Sequence, residues 1–200
     1  MIILNNVQQK EIMKKEECIN KIIEITTRLI KDSSGNVDEI TIRMIAEQAD
    51  IGVGLINYHF GSKEQLIEQC VQKMISNVIM SLHSQISQEL DPVSHLKMTT
   101  KLVADFLVDN PAVSRISILG DQRNPRIMDN TMKTVLGFSQ SLIKYNLSEE
   151  RKRILLFNLT SMLQAAFLRE DLSRECLGFD FHRKEERDNY LEEIIDILFG

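Results

Sequence analysis

Apolar residues recur at intervals of three and four along this 200-residue chain, the spacing that lines one face of an α-helix. Ile19, Ile22, Ile23, Thr26 and Ile30 predict a first helix over residues 14–31, and DSSGNVD at 32–38 reads as a loop. Thr41 is a natural N-cap. After it, Ile42, Ile45, Ala46 and Ala49 share the face of a short helix. That helix must end near Asp50, because Gly52 and Gly54 follow at once, and Ile51 is expected to plug the turn. A second short helix over 53–59 buries Ile56 and Phe60; Gly61 closes it. Ser62 with Gln65 then makes a capping box for the next helix.

That next helix starts at Lys63 and reaches toward Leu90 on the stripe Leu66, Ile67, Cys70 and Met74. Asp91-Pro92, Asn110-Pro111 and Asn124-Pro125 each pair a capping side chain with a proline at the first helical position, predicting helices over 92–109, 111–119 and 125–146. Ser148 opens another to Arg169, residues 172–182 read as a loop, and a last helix spans 183–199. The sum is an all-α chain of about nine helices.

Two short helices joined by a tight turn make a helix-turn-helix. The stretch resembles the DNA-binding motif of the TetR family of transcriptional regulators. Thr41-Ile42-Arg43, Ile45-Ala46, Ala49, Ile51, the run from Gly54 to Phe60, and Ser62-Lys63-Glu64 with Leu66 carry the likeness. The resemblance implies a three-helix DNA-binding domain over 1–62, then a helical ligand-binding and dimerisation domain over 63–200. It also implies a double-stranded operator read as a pseudo-palindrome, repression of transcription, and DNA-facing positions at Thr41, Arg43, Gly52, Val53, Gly54, Leu55, Asn57, Tyr58, His59 and Lys63. In this architecture the second helix enters the major groove. Arg43 suits guanine and Asn57 adenine, while Val53 and Leu55 can meet thymine methyl groups. The hydroxyls of Tyr58 and Thr41, His59, and Lys63 with the N–H groups of the next helix start suit phosphates. Arg43 could instead pair with Glu47 four residues on, and His59 could pack against the long helix.

Charge narrows this picture. The chain carries a formal net charge of −5, and residues 10–63 hold eight Lys/Arg against nine Asp/Glu. Binding must therefore depend on where charges sit, not on a general basic field. Lys10, Lys14 and Lys15 ahead of the first helix could reach a DNA backbone, although Glu11, Glu16 and Glu17 interleave them. A helical module that no longer engages DNA is the alternative.

The last two helices carry more apolar residues than one buried face each requires. Ile154, Leu155, Leu159, Leu163 and Phe167, with Leu191, Ile194, Ile195 and Leu198, are the expected contacts with a second copy across a two-fold axis. Flexible Met and aromatic side chains suit an adaptable apolar pocket, for which Phe106, Met98, Met128, Met132, Met162 and Phe157 are candidates. His95, Thr99, Asn158, Ser161 and Gln164 are its candidate polar anchors. The resemblance implies a small-molecule effector there, and the residues imply a largely apolar one. Met80 lies in the same central helices. His83 and His95 lack the spacing of a metal site, no catalytic signature is present, and no cofactor is expected. Cys18, Cys70 and Cys176 are expected to be buried free thiols in a reducing cytoplasm. No apolar run reaches the ~18 residues of a membrane span.

Overall fold

The computed structural model describes residues 6–33, 37–83 and 91–200, with side chains for 15–33, 37–75 and 91–200. The side chains of Lys10, Lys14, Met80 and His83 therefore lie outside what is described. Among the described residues there are ten α-helices and no strand. They are α1 (Asn6–Asp32), α2 (Ile42–Ala49), α3 (Val53–Phe60), α4 (Lys63–His83) and α5 (Pro92–Asp109), then α6 (Pro111–Arg123), α7 (Asn130–Ser141), α8 (Glu149–Phe167), α9 (Ser173–Leu177) and α10 (Lys184–Phe199). None of the described helices is long and apolar enough to cross a membrane. Residues 1–74 form one compact unit and 75–200 a second.

The first unit buries Ile22, Ile25, Thr26, Leu29 and Ile30 of α1 beneath Ile45, Ala46 and Ala49 of α2 and Ile56 and Phe60 of α3. Leu66, Ile67, Cys70 and Val71 from the first turns of α4 are buried too, and the Cys70 thiol donates to the Ile23 carbonyl at 3.6 Å. Two short helices bury too little apolar area to hold an angle alone; α1 and the start of α4 supply the rest.

In the second unit one core cluster joins Leu96 of α5, Phe138 of α7, Leu156 and Leu159 of α8, and Ile195 and Phe199 of α10. Another joins Leu107 of α5, Ile118 of α6, Leu163 and Phe167 of α8, Phe181, and Leu191 of α10. Some expected helix starts differ. Asp91 caps α5 by accepting from the N–H groups of Val93 and Ser94 at 3.1 Å. Asn110 does not cap, because its amide donates back to the Phe106 carbonyl. Asn124-Pro125 starts nothing; Asp129 caps α7 instead, accepting from Met132 N–H at 2.9 Å. The expected loop at 172–182 contains α9, held where Ser173 Oγ donates to the Glu170 carbonyl and accepts from Phe181 N–H.

Cysteine burial also departs from expectation: Cys70 is buried, Cys18 half-buried and Cys176 exposed. Burial pushes the Cys70 thiol up to about 11, so little thiolate exists near neutrality. A maleimide is expected to label Cys176 in the native chain and Cys70 only after unfolding, which peptide mass mapping checks.

An ion-pair cluster fixes α10 to α5. Arg187, 3% exposed, donates to Asp105 at 2.6 Å and to the Phe181 carbonyl at 2.8 Å, and Lys184 reaches the same carboxylate at 2.6 Å. Burial raises the Asp105 carboxyl, but hydrogen bonds from Lys184 and Arg187 outweigh this and hold it below its usual value. A carboxylate lowered in the folded state stabilises the protein fully above its unfolded value of about 3.9, and the contribution drains away as pH falls through the folded value. Asp105→Ala strands the buried guanidinium and is expected to cost about 3 kcal/mol. Urea unfolding at pH 7 checks that loss, and the variant should show a shallower decline of stability on the acid side.

Candidate nucleic-acid interface

α2 begins where the Thr41 hydroxyl accepts from Met44 N–H at 3.2 Å. It ends at Asp50, with φ 54° and ψ 51°, the one non-glycine residue with positive φ among the described residues. Asp tolerates this left-handed backbone because its short polar side chain can bond locally. The chain then turns sharply enough for Ile51 N–H to reach the Ala46 carbonyl at 3.0 Å. Ile51 is half-buried in the turn. Gly52 caps α3 with no side-chain bond, so its backbone alone starts the helix. Gly61, φ 80°, ends α3; a Cβ there would sit 2.3 Å from Gln65 Oε1. Ser62 Oγ then accepts from Gln65 N–H at 3.3 Å, opening α4 with one half of a capping box, while Ser62 N–H donates to the Phe60 carbonyl at 3.0 Å.

With Ile56 and Phe60 buried, the opposite face of α3 points outward. Gly52, Val53, Gly54, Leu55, Asn57 and Tyr58 are exposed, Tyr58 to 75%. Thr41 and Arg43 are also exposed. Among the described residues Arg43 makes no ion pair, so the pairing with Glu47 is not formed. His59 is half-buried, its ring edge-on to Tyr58 at 5.0 Å and to Phe60 at 6.3 Å. Lys63 is half-buried, and its ammonium donates to the Val37 carbonyl at 3.1 Å, tying the short turn before α2 to α4. One of its three donors is spent inward. At the same helix start, hydrogen bonds from its own backbone N–H and from Ser62 hold the Glu64 carboxyl below its usual value. That negative charge opposes a phosphate at the α4 N-terminus.

α1 adds a residue absent from the motif. The Lys15 ammonium lies 6.0 Å from the centroid of the Tyr58 ring, a cation–π contact worth about 0.5–1 kcal/mol at an exposed site. The sequence hint was only its position ahead of the first helix; its meeting with Tyr58 depends on how α1 crosses the motif.

The expected effector residues divide. Phe106 and Gln164 line a cavity of about 60 Å³ in the second unit. Met132, Phe157, Ser161 and Gln164 line a wider groove beside Asp129 and Ile127. Met98, Met128, Asn158 and Met162 are exposed and line neither. His95 and Thr99 are also absent from both; His95 Nδ1 lies 2.7 Å from Ser141 Oγ, and the Thr99 hydroxyl donates to the His95 carbonyl at 2.8 Å. The cavity is lined as well by Ser114, Ser117, Asn130 and Thr134, which periodicity does not mark.

The expected interface residues divide too. Leu159, Leu163, Phe167, Leu191 and Ile195 are 0–1% exposed inside their own chain and have no surface to offer a partner. Helical spacing identified an apolar face correctly but gave it to the wrong neighbour. Ile154 is exposed, and Leu155, Ile194 and Leu198 are half-buried against the core. Phe157 and Met162 extend the outward stripe of α8, and Ile197 is exposed on α10.

Comparisons with known proteins agree with this geometry. Residues 22–70 match the family model described as bacterial regulatory proteins, tetR family. The HTH-type transcriptional regulator BetI of Vibrio parahaemolyticus is 18% identical over 167 residues, covering 76% of this chain and 83% of the relative. A TetR variant from Acinetobacter baumannii AYE, solved with minocycline, superposes with a TM-score of 0.65 at 16% identity, over 90% of this chain and 96% of that one. RolR, solved with resorcinol, gives 0.62 at 15% identity, over 92% and 89%. A buried scaffold holding an outward second helix defines the class: a helix-turn-helix transcriptional regulator. The match places residues 22–70 in the TetR family, and a solved TetR shares the fold over 90% of this chain.

Nothing lies within 4 Å of a Cβ built on Gly54, so Gly54→Ala is expected to stabilise the first unit by about 0.5–1 kcal/mol through helix propensity alone. Hydrogen exchange of α3 amides in the full chain checks this.

Proposed function

We propose that this chain is a ligand-responsive repressor that binds a pseudo-palindromic operator as a homodimer. The observation that carries the reading is the outward face of α3, with Asn57 and Tyr58 exposed above buried Ile56 and Phe60. In this reading α3 lies in the major groove and its partner's α3 lies about 34–36 Å away, one turn of duplex. Asn57 and Arg43 read base edges, while exposed Val53 and Leu55 meet thymine methyl groups, so the operator leans toward A·T. Gly54 leaves room for the backbone to approach. Tyr58, Thr41 and Lys15 fix register through phosphates. His59 and Lys63 are given supporting roles, because both are half-buried and Lys63 already holds the Val37 carbonyl.

Dimerisation is assigned to the outward stripe of α8 (Ile154, Phe157 and Met162) with Ile197 of α10. Large apolar side chains left exposed are a usual mark of an association surface where they gather into one patch. An effector bound in the second unit shifts the population between dimer states that fit and do not fit the operator, with coupling limited to its differential affinity for the two. The structural neighbours solved with minocycline and resorcinol support a small-molecule effector. The protein is assigned to the cytoplasm, no catalytic role is given to it, and the domains are taken as 1–62 for DNA and 63–200 for ligand and dimer.

A second reading, a helical module that no longer engages DNA, is favoured by charge: α2, its turn and α3 carry Arg43 and His59 against Glu47 and Asp50. Selection of a randomised duplex pool on the full-length protein separates the two. The repressor reading expects an enriched two-fold sequence, at least tenfold weaker binding by Asn57→Ala and Tyr58→Ala with the dimer intact, and affinity that falls steeply with salt. A pool that stays random, or a flat salt response, sinks it. Gly54→Ala should weaken binding to the selected duplex, although it stabilises α3.

A further inference from the structure

One side chain closes the helix-turn-helix at its two ends. Lys63 is the first residue of α4, and its ammonium donates to the Val37 carbonyl, 26 residues earlier, at 3.1 Å. Val37 opens a short helical turn, Val37–Glu39, none of whose side chains is buried. The same carbonyl accepts from Ile40 N–H at 3.2 Å. Ile40 is 1% exposed, and the next residue, Thr41, caps α2. One carbonyl thus takes a donor from each end of the segment that holds α2, the Asp50 turn and α3.

The pieces joined by this bond are anchored unequally. Leu66 and Ile67 bury the first turn of α4, and Ile56 and Phe60 bury the inner face of α3. On α2 the fully buried residues, Ile45, Ala46 and Ala49, lie in the later part of the helix. Its first turn, with exposed Thr41 and Arg43, follows from Ile40 and the turn before it. A hydrogen bond from a charged donor is roughly twice as strong as a neutral one, and closing the segment on itself limits how far its ends can drift apart. A lysine at a helix start can also serve a phosphate. Here the ammonium is turned to a carbonyl, the residue is half-buried, and the Glu64 carboxylate follows it directly.

We infer that Lys63 is a positioning residue: its ammonium, spent on the Val37 carbonyl, sets where Thr41 and Arg43 stand relative to α3, and it does not meet DNA. The role rests on the DNA-binding reading above, in which Arg43 reaches a base edge. Sequence alone points the other way, because a lysine beside a capping serine at the end of this motif reads as a phosphate ligand. The carbonyl that claims it belongs to a turn far back in the chain.

The test compares the full-length protein with Lys63→Met, which keeps the stem and removes the donors; Lys63→Gln serves if Met disturbs the start of α4. Without DNA, the Ile40 amide should exchange about tenfold faster in the variant, the loss of one hydrogen bond, while the α3 amides keep their rates. Unchanged exchange at Ile40, or exchange that quickens everywhere alike, overturns the clasp. On the selected duplex, affinity should fall about tenfold, with the slope of log affinity against log salt unchanged and binding to a scrambled duplex preserved. Unchanged affinity overturns the role, and so does a slope shallower by about 0.9, the share of one phosphate. A double-mutant cycle locates the effect: Lys63→Met and Arg43→Ala should cost less together than the sum of their separate losses, whereas Lys63→Met and Asn57→Ala should add. Additivity with Arg43 overturns the positioning role. If the randomised pool yields no selected duplex, the DNA reading falls and the positioning role with it, although faster exchange at Ile40 would still show the clasp. A selected duplex with exchange at Ile40 unchanged keeps the DNA reading and removes the clasp.

Discussion

The left-handed turn at Asp50 is the constraint on which the first unit depends. One residue with φ 54° lets α2 stop and the chain reverse within three positions, so that Ile45, Ala46 and Ala49 can share a core with Ile56 and Phe60. The burial of those apolar groups fixes the rotation of α3 about its own axis. With a period of 3.6 residues, burying 56 and 60 leaves 54, 57 and 58 on the outside. The exposure of Tyr58 is thus a consequence of packing beneath it. A turn that opened by even one residue would rotate Asn57 and Tyr58 away together, since the two are carried by a single rigid turn of helix.

The same logic governs the second unit, where α8 supplies a face to each core cluster. Phe167 and Leu163 close one, Leu156 and Leu159 the other, and α10 crosses both with Leu191 and Ile195. Arg187 then ties α10 to Asp105 on α5 and to the carbonyl of Phe181, the residue that links α9 to the core. Buried charge in this cluster does not add stability cheaply, but its geometry permits one seating of α10 on α5.

The all-α class and the helix-turn-helix were legible in the sequence because their signals are local: capping at Thr41, Ser62 and Ser148, glycines at 52 and 61, and apolar spacing in between. The start at Pro111 was legible although the Asn110 amide turns back onto the preceding helix and does not cap, whereas the start expected at Asn124-Pro125 failed because Asp129 was the better acceptor. What spacing cannot supply is the neighbour. Leu159, Leu191 and Ile195 formed a true apolar stripe, yet they face their own core, and only Ile154 of the expected interface stands fully in the open. The polar lining of the cavity was invisible for a different reason: Ser114 and Asn130 are unremarkable residues until five helices close around them. Lys15 and Lys63 show both outcomes, one brought to the α3 face by tertiary packing and the other drawn inward by a backbone carbonyl.

Asp50 has a further effect through its charge. A carboxylate set in the hinge of a groove-reading motif pushes against every sugar-phosphate strand alike, whatever the base sequence. In a cell, a regulator must leave an immense excess of wrong sites, and occupancy is governed by the ratio of right to wrong affinity rather than by tightness. A residue that makes a bend therefore leaves that ratio untouched, since it weakens right and wrong sites together; what it shortens is the stay at each of them.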